Sequence, residues 1–318
     1  MTLPLLEIRG LRVSFSTPAG VFRAVNDLDL TLERGEIFGL VGETGCGKTV
    51  TALALMGLIP PTGRVAASRL SLDGVDLLSP RNLSKVRGRR MAMIFQDPAA
   101  SLNPTFTIGQ QLSHVIRHHL RLDSASTRRR AIELLNDVGL AEPKAILRAY
   151  PHQLSGGMQQ RAMIALALAS GADLLIADEP TTALDVTIQA QILRLLKSLR
   201  DRHGLTILLI THDLGVVAQT CDRVAVLYAG CVAETALTAQ LFRAPKHPYT
   251  HGLLGALPRP GSRGKLLSAI EGSVPSGISA TAGCPFAARC PSVMNRCKTE
   301  PLPLKSVADA HAVACHLY

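Results

Sequence analysis

Short apolar runs alternate along the chain with amphipathic stretches, and this alternation predicts strands separated by helices. Ile37–Val41, Leu174–Ala177 and Thr206–Ile210 are apolar runs with the length of buried strands. A helix predicted from about Thr187 to Arg202 separates the last two runs. Strand, helix and strand in succession form a βαβ unit with parallel strands, so the pattern predicts an α/β fold with a parallel sheet.

The N-terminal part shows alternation of apolar and polar residues instead. Leu6–Arg9, Leu11–Phe15 and Val25–Leu32 therefore predict half-buried strands, the first two on either side of a glycine. Helical spacing predicts further helices over the ranges Val50–Leu58, Thr107–Gly139 and Gln159–Ala169.

Composition changes near Ala244, where Pro, Gly and Ser become frequent. The 318 residues suit one large domain with an appendix. We therefore predict a main domain over residues 1–243 and a small, loop-rich C-terminal region over 244–318. Four of the seven cysteines lie in that last region. Seven cysteines in a cytosolic chain argue against structural disulfides.

The net charge of +10 suggests an anionic partner. The basic runs Lys85–Arg90 and Arg128–Arg130 contain no aromatic residues that could stack on bases, so no nucleic acid is expected. A solvated face or attraction to an anionic membrane surface remain open. The longest apolar stretch, Ala162–Leu168, is far shorter than the roughly 20 residues of a membrane span, and the N-terminus does not resemble a signal peptide. A cytosolic protein is expected.

A glycine-rich segment after the Ile37–Val41 run fits G-x-x-x-x-G-K-[ST] between a strand and a helix. Its glycines let backbone N–H groups turn towards phosphate oxygens, and the helix N-terminus adds positive potential. Lys48 is expected to contact the β- and γ-phosphates and Thr49 to bind Mg²⁺. The predicted ATP-binding residues of this loop are Gly42, Glu43, Thr44, Gly45, Cys46, Gly47, Lys48, Thr49 and Val50.

An acidic pair ends the Leu174–Ala177 run. Asp178 is expected to bind Mg²⁺ through water, and Glu179 to orient the water that attacks the γ-phosphate. The same pair could instead cap a helix, an alternative that the upstream phosphate loop disfavours.

Leu154–Arg161 reads LSGGMQQR and resembles the signature motif of ABC ATPases. Ser155, Gly156 and Gly157 precede an apolar helix and form an anion site at its N-terminus. The resemblance implies that this site caps the γ-phosphate held by an opposite subunit. It also implies the P-loop ABC ATPase fold, with a RecA-like parallel core, an N-terminal antiparallel β subdomain and a helical subdomain at about 100–170.

Other motifs of that family occur in the expected order. The resemblance implies that Gln96 senses Mg²⁺ and faces a membrane subunit, that Asp185 lies at the dimer interface, and that His212 contacts the γ-phosphate. Phe15 matches the residue that stacks on adenine, although a core phenylalanine fits equally. Gln159 is assigned to the same nucleotide site. Cys46 at a helix N-terminus could have a lowered pKa, and a silent replacement is the favoured alternative.

The segments Phe95–Pro98, Ser101–Pro104 and His247–Thr250 resemble the oligopeptide, dipeptide and nickel importer branch of the family. This resemblance implies a second, related ATPase subunit, two membrane permease subunits and an extracytoplasmic binding protein. It places the chain peripherally on the cytoplasmic face of the inner membrane. Peptides are the expected cargo, with nickel chelates or antimicrobial peptides as alternatives. The string HPYT at His247–Thr250 has no chemistry that follows from its residues.

The four C-terminal cysteines lack the tight knuckles that zinc favours. Their wide spacing and Cys–Pro steps suit a [4Fe–4S] cluster, and some relatives in this branch are similar in carrying one. Zinc or free thiols remain alternatives. His311 and His316 are expected at the surface. The candidate ligands are Cys284, Cys290, Cys297 and Cys315.

A soluble ABC ATPase acting on ribosomes or nucleic acid is the competing class. Such relatives carry two cassettes or a long coiled coil, whereas this chain has one cassette and a short interval between its motifs. A sensor without hydrolysis would need a damaged site, yet Lys48, Asp178, Glu179 and His212 are all present.

Overall fold

A computed structural model describes residues 3–18, 20–182, 184–257, 270–274 and 283–318. The chain forms two compact units. The first contains Met1–Glu33, Phe38–Leu78 and Ile210–Tyr318, and the second contains Arg34–Ile37 and Ser79–Leu209. Within the described ranges no helix has the length and apolarity needed to cross a membrane.

The strands are β1 Leu6–Thr17, β2 Gly20–Leu32, β3 Ile37–Val41, β4 Gly63–Ala66, β5 Arg69–Leu72, β6 Val75–Asp76, β7 Met91–Ile94, β8 Leu174–Asp178, β9 Thr206–Thr211, β10 Arg223–Tyr228, β11 Cys231–Leu237, β12 Lys305–Ala308 and β13 His311–Val313. The helices are α1 Lys48–Met56, α2 Pro80–Val86, α3 Pro98–Ser101, α4 Ile108–Leu120, α5 Ser124–Asp137, α6 Pro143–Ile146, α7 Gly156–Leu168, α8 Val186–His203, α9 Leu214–Thr220, α10 Thr238–Arg243, α11 Pro248–Gly255 and α12 Arg296–Thr299.

The first unit contains an antiparallel sheet with the order β2-β1-β5-β6, and β4 pairs with β1. Two strands separated by a glycine were expected at the start, but β1 is one continuous strand. Its pairing with β2 shifts register between Ile8 and Leu11, and Gly10 has a φ of 60° there. A bulge absorbs the glycine because one strand can bend locally without losing its partner.

A second group of strands in this unit has the order β12-β13-β11-β10-β3. The pairing of β10 with β3 is parallel and that of β11 with β10 is antiparallel. The hairpin β12–β13 joins the edge of β11 through β13. The C-terminal region thus contributes two strands to a sheet, where sequence composition predicted mainly loops. Part of its Pro- and Gly-rich stretch, residues 258–269 and 275–282, lies outside the described residues.

The second unit contains strands in the order β9-β8-β7, with β7 and β8 parallel. Every residue of β8 and β9 is buried, which confirms the prediction of buried strands in a parallel sheet.

The helical stretch predicted over Thr107–Gly139 consists of two helices, α4 and α5. Thr107 and Gln110 form a capping box at the start of α4, and Arg121 ends it in a left-handed conformation with a φ of 54°. Asp123 then accepts hydrogen bonds from the N–H groups of Ala125 and Ser126 and starts α5. Periodicity alone does not detect this break because both helices continue the same apolar spacing.

Candidate functional site

The phosphate loop lies between β3 and α1 in the first unit. Gly47 has a φ of 103°, and a side chain there would collide with the carbonyl oxygen of Ala24. The Lys48 ammonium is buried and donates to the carbonyl oxygens of Gly42 at 2.7 Å and Glu43 at 3.0 Å. The loop therefore has a defined curl in which the lysine is already bonded to the backbone that surrounds it.

Cys46 lies inside this loop with its thiol fully buried. Burial raises the pKa of the thiol, and the nearby Lys48 charge opposes that rise only in part. A lowered pKa, one of the two sequence interpretations, is therefore wrong because desolvation outweighs the helix N-terminus. A silent replacement agrees with the buried, protonated thiol.

Four other residues assigned to the nucleotide lie in the same unit. Thr49 is exposed in the first turn of α1, and Val50 follows it half-buried. His212 is exposed directly after β9, before Asp213 caps α9. Phe15 is half-buried in β1, where its ring centroid lies 6.5 Å from that of Phe22.

The acidic pair lies in the second unit, at the end of β8. Asp178 is buried, and Glu179 is half-buried. The Glu179 carboxylate accepts from the Thr182 hydroxyl at 2.9 Å and from the Gln96 amide at 3.2 Å. The structure thus brings together Gln96 and Glu179, which are 83 residues apart in sequence.

The signature segment starts α7, also in the second unit. Ser155 caps the helix by accepting from the Met158 N–H group at 3.4 Å, and Ser155 and Gly156 are exposed. A side chain at Gly156 would meet no atom within 4 Å. The Gln159 amide donates to the Pro151 carbonyl at 2.9 Å, which supports the turn before the helix.

A cavity of about 440 Å³ adjoins this helix start. Asp185 lines it and caps α8 by accepting from the Ile188 N–H group at 2.9 Å. Val186, the next residue, is 83% exposed, which is unusual for a large apolar side chain. The signature and Asp185 therefore lie on one open, partly apolar surface of their unit.

The four C-terminal cysteines line one small cavity in the first unit, together with His316. The Cys284 N–H group donates to the Cys297 carbonyl at 2.7 Å, and burial raises the pKa of Cys284 to about 11. Across the described ranges, no three His, Cys, Asp or Glu side chains form a group suited to a single metal ion.

The two neighbouring histidines differ from expectation. His311 was expected at the surface, but it is buried and its Nε2 lies 2.7 Å from the carboxylate of buried Glu234. That prediction is wrong because strand β13 turns His311 inward. His316 is half-buried, and both of its ring nitrogens are buried without a hydrogen-bond partner among the described residues.

Sequence reasoning missed two residues that contact the phosphate loop. The hydroxyl of Tyr249 accepts from the Glu43 N–H group at 3.0 Å, and Arg289 pairs with the Glu43 carboxylate at 2.9 Å. The HPYT string marked Tyr249 without indicating its role. Arg289 carries no signal in the sequence, because an arginine in a loop-rich segment is ordinary.

Comparison with known families matches most of the chain to two of them. Residues 25–182 match the ABC transporter family, and residues 233–297 match the C-terminal region of oligopeptide and dipeptide transporters. The chain is 47% identical over 317 residues to the dipeptide transport ATP-binding protein DppD of Bacillus subtilis, covering 98% of this chain and 94% of the relative. It is 46% identical over 313 residues to the oligopeptide transport ATP-binding protein OppD of Salmonella typhimurium, covering 98% and 93%.

Solved structures agree with this assignment. CbiO1 from Clostridium perfringens, part of the ABC transporter complex cbiONQ, superimposes with a TM-score of 0.66 at 26% identity and covers 76% of this chain and 91% of its own. The ATP-binding cassette MJ0796, solved as a dimer bound to ADP and phosphate, has a TM-score of 0.62 at 27% identity and covers 73% and 98%. The predicted P-loop ABC ATPase fold is confirmed.

Proposed function

The chain belongs to the ABC transporter family of ATPases, and from this premise we propose that it hydrolyses ATP to drive uptake of di- or oligopeptides through a membrane-embedded transporter. The observation that carries the proposal is the identity of 46–47% over nearly the whole chain to ATP-binding proteins of dipeptide and oligopeptide transport. The match of residues 233–297 to the C-terminal region of peptide transporters supports it independently of the ATPase motifs.

We assign the chemistry to the phosphate loop, the acidic pair, Gln96 and His212. Backbone N–H groups of the phosphate loop and the Lys48 ammonium bind the phosphates, and Thr49 with Asp178 binds Mg²⁺. Glu179 orients the attacking water, and its bonds to Thr182 and Gln96 restrict the carboxylate. Gln96 senses Mg²⁺, and His212 contacts the γ-phosphate.

The partner that completes the site is proposed to be a second, related ATPase chain. The signature segment presents Ser155 and Gly156 to solvent, and exposed Val186 lies beside Asp185. A helix N-terminus with open N–H groups binds anions, so the partner's γ-phosphate is a suitable ligand. MJ0796, a relative at 27% identity, is dimeric.

A membrane subunit is proposed to dock on the second unit. Phe95 and Phe106, close in sequence to Gln96, are 39% and 49% exposed, and Phe106 lines a cavity of about 420 Å³ with Asn103 and Val115. An exposed apolar groove of this kind suits a short helix from a partner. The chain would then lie peripherally on the cytoplasmic face of the inner membrane.

Purification of the tagged chain from its native membrane tests this assignment. Two membrane proteins and a second ATPase should come down with it, and ATP hydrolysis by the complex should rise when a peptide-loaded binding protein is added. Stimulation by a binding protein loaded with a nickel chelate or an antimicrobial peptide would instead identify that compound as the cargo. Recovery with ribosomes and without membrane proteins would contradict the importer function.

A metal–sulfur group is proposed at the C-terminal cysteines, with [4Fe–4S] ahead of zinc. Four thiols facing one cavity match the ligand set of such a cluster, and the buried, unpartnered nitrogens of His316 offer a hydrogen bond to it. The group would tie distant parts of this region together.

Anaerobic purification followed by iron, sulfide and zinc analysis tests this part. We expect about four irons per chain with visible absorbance, and loss of both in Cys290→Ser. About one zinc per chain, without iron or sulfide, would show a zinc site and no cluster. Absence of iron, sulfide and zinc would reject a metal site.

We also propose residues 1–243 as the nucleotide-binding domain, with a helical subdomain at about 100–170, and 244–318 as a separate C-terminal region. The concentration of α4, α5 and α7 in the second unit supports the helical subdomain. Residues 244–318 lie in the same compact unit as the phosphate loop, and the boundary near Ala244 is supported by the change in composition there.

A further inference from the structure

Glu43, the second residue of the phosphate loop, is bonded through its backbone and its side chain. Its carbonyl accepts from the Lys48 ammonium at 3.0 Å, and its N–H group donates to the Tyr249 hydroxyl at 3.0 Å. Its two carboxylate oxygens accept from the Arg289 guanidinium at 2.9 and 3.2 Å. A shift of Glu43 therefore changes a contact of the lysine that binds phosphate.

Tyr249 is held firmly on its side of this contact. It is fully buried in the first turn of α11, and the N–H group of Tyr249 donates to Nδ1 of His247 at 3.0 Å. Burial lowers the pKa of His247 to about 4, so the ring is neutral at pH 7 and Nδ1 can accept. Buried Glu234 accepts from the N–H group of His247 at 2.9 Å. The HPYT string thus fixes the tyrosine that contacts the loop.

Arg289 is held equally well. Its side chain is only 8% exposed, and it also donates to the carbonyls of Glu271 at 2.8 Å and Ile270 at 3.1 Å. The guanidinium carbon lies 5.7 Å from the ring centroid of Tyr228. A partly buried pair with two hydrogen bonds between arginine and carboxylate has a narrow range of geometries, so the position of Arg289 determines that of Glu43.

The residues that make the two contacts with Glu43, Tyr249 and Arg289, both lie close to the four cysteines. His247 and Pro248 line the same small cavity as the thiols, and Arg289 directly precedes Cys290 in the chain. Phe286, two residues after Cys284, packs on Tyr249 with ring centroids 5.3 Å apart. Two separate lines of packed residues therefore connect the cysteine cavity to one residue of the phosphate loop.

We propose that Arg289 and Tyr249 are positioning residues for nucleotide binding, through which the four-cysteine cavity controls the conformation of the phosphate loop. The inference rests on the proposed function in two respects, that the loop binds ATP and that the four thiols bind a ligand. A change in what the thiols bind shifts the residues on either side of Cys290 and hence Arg289, Glu43 and the Lys48 contact. The affinity for ATP therefore changes, whereas none of the shifted contacts involves Glu179, the residue assigned to hydrolysis.

Equilibrium binding of Mg–ATP to the full chain, with kcat and KM of the assembled transporter, tests the two residues. Arg289→Gln should weaken ATP binding about tenfold and raise KM to the same extent, with kcat within about twofold. Tyr249→Phe, which removes one neutral hydrogen bond, should weaken binding about threefold.

Matched controls lie in the same region. Arg296 pairs with Glu300 at 3.1 Å on the surface, and Tyr318 is 45% exposed, so Arg296→Gln and Tyr318→Phe should bind ATP like the wild type. Thermal unfolding checks that each variant is folded. If Arg289→Gln does not fold, Arg289→Lys and Glu43→Gln test the same pair from both sides. Unchanged ATP affinity in the folded variants of this pair overturns the positioning role.

Combination with Cys290→Ser tests the link to the cavity. Cys290→Ser should weaken ATP binding in the wild type, and it should add little in the Arg289→Gln background, because Cys290 adjoins Arg289 and only the line through Tyr249 then remains. Additive effects, or no effect of Cys290→Ser on ATP affinity, contradict the link. A wild-type chain that binds no ATP contradicts the proposed function itself, whereas wild-type binding that these variants leave unchanged contradicts only this inference.

Discussion

The phosphate loop and the signature segment are both glycine-rich turns at the start of a helix, but side chains of the first are buried, whereas the second is exposed to solvent. In the phosphate loop, Lys48 and Cys46 are buried and the lysine bonds to backbone carbonyls. In the signature, Ser155 and Gly156 are exposed. The polar groups of the phosphate loop thus find hydrogen-bond partners within the chain itself. The signature presents open N–H groups, so it suits a ligand brought by another subunit.

The difference teaches that the same local motif can serve two tasks, depending on its surroundings. A buried lysine that is already oriented binds phosphate with little reorganisation. The exposed helix start shares its cavity with Arg161, and in the proposed dimer a second chain delivers its charged ligand. Variants in the two segments should therefore fail in different ways.

Lys48→Ala should have the largest effect, because it removes the charged donor to the phosphates and leaves two loop carbonyls without it. We expect ATP binding weaker by about 100-fold and no measurable hydrolysis. Titration with a fluorescent ATP analogue measures the first effect and phosphate release the second. Lys85→Ala, an exposed lysine of the second unit, serves as the control and should behave like the wild type. Normal affinity in Lys48→Ala would remove the distinction between the two segments.

Glu179→Gln should abolish turnover and keep ATP binding. The amide retains an acceptor for Thr182 but cannot polarise water, so hydrolysis should fall by about 1,000-fold. ATP should then remain bound in the assembled complex, as nucleotide analysis after gel filtration can detect. Unimpaired transport in this variant would reject the catalytic role, and the exposed Glu133→Gln should show neither effect.

Gly156→Asp tests the outward-facing segment. A side chain there meets open space, so the chain should fold and bind ATP as before. In the assembled transporter the added carboxylate repels the partner's γ-phosphate, and hydrolysis should fall by about 100-fold. Gly156→Ala adds volume without charge and should retain most activity. Weakened ATP binding by isolated Gly156→Asp would show that the segment serves its own chain.

Cys46→Ser should have the smallest effect, within about twofold on ATP affinity, because the buried thiol has a raised pKa and does not act as a thiolate. Iodoacetamide at pH 8 should label Cys46 only after unfolding, as peptide mass spectrometry can show. Rapid labelling of Cys46 in the native protein would mean that the phosphate loop often exposes its buried side chains to solvent.

Much of the fold could be predicted from the sequence, and so could the motifs of the candidate site, because their signals are local. The strand before the phosphate loop and the strand that ends at Asp178 are short apolar runs, and glycine, lysine and threonine at fixed spacing specify the loop. The break between α4 and α5 was missed, because it depends on the left-handed Arg121 and the Asp123 cap rather than on periodicity.

By itself, the sequence determined the α/β class, the phosphate loop, the acidic pair and the signature, since each depends on residues within a few positions of one another. Only the tertiary structure decided what the HPYT string does and which arginine supports the loop. Glu43 contacts Tyr249 across 206 residues of chain and Arg289 across 246. Periodicity and motif spacing carry no information about such pairs, because packing of distant segments around a shared interior brings them together.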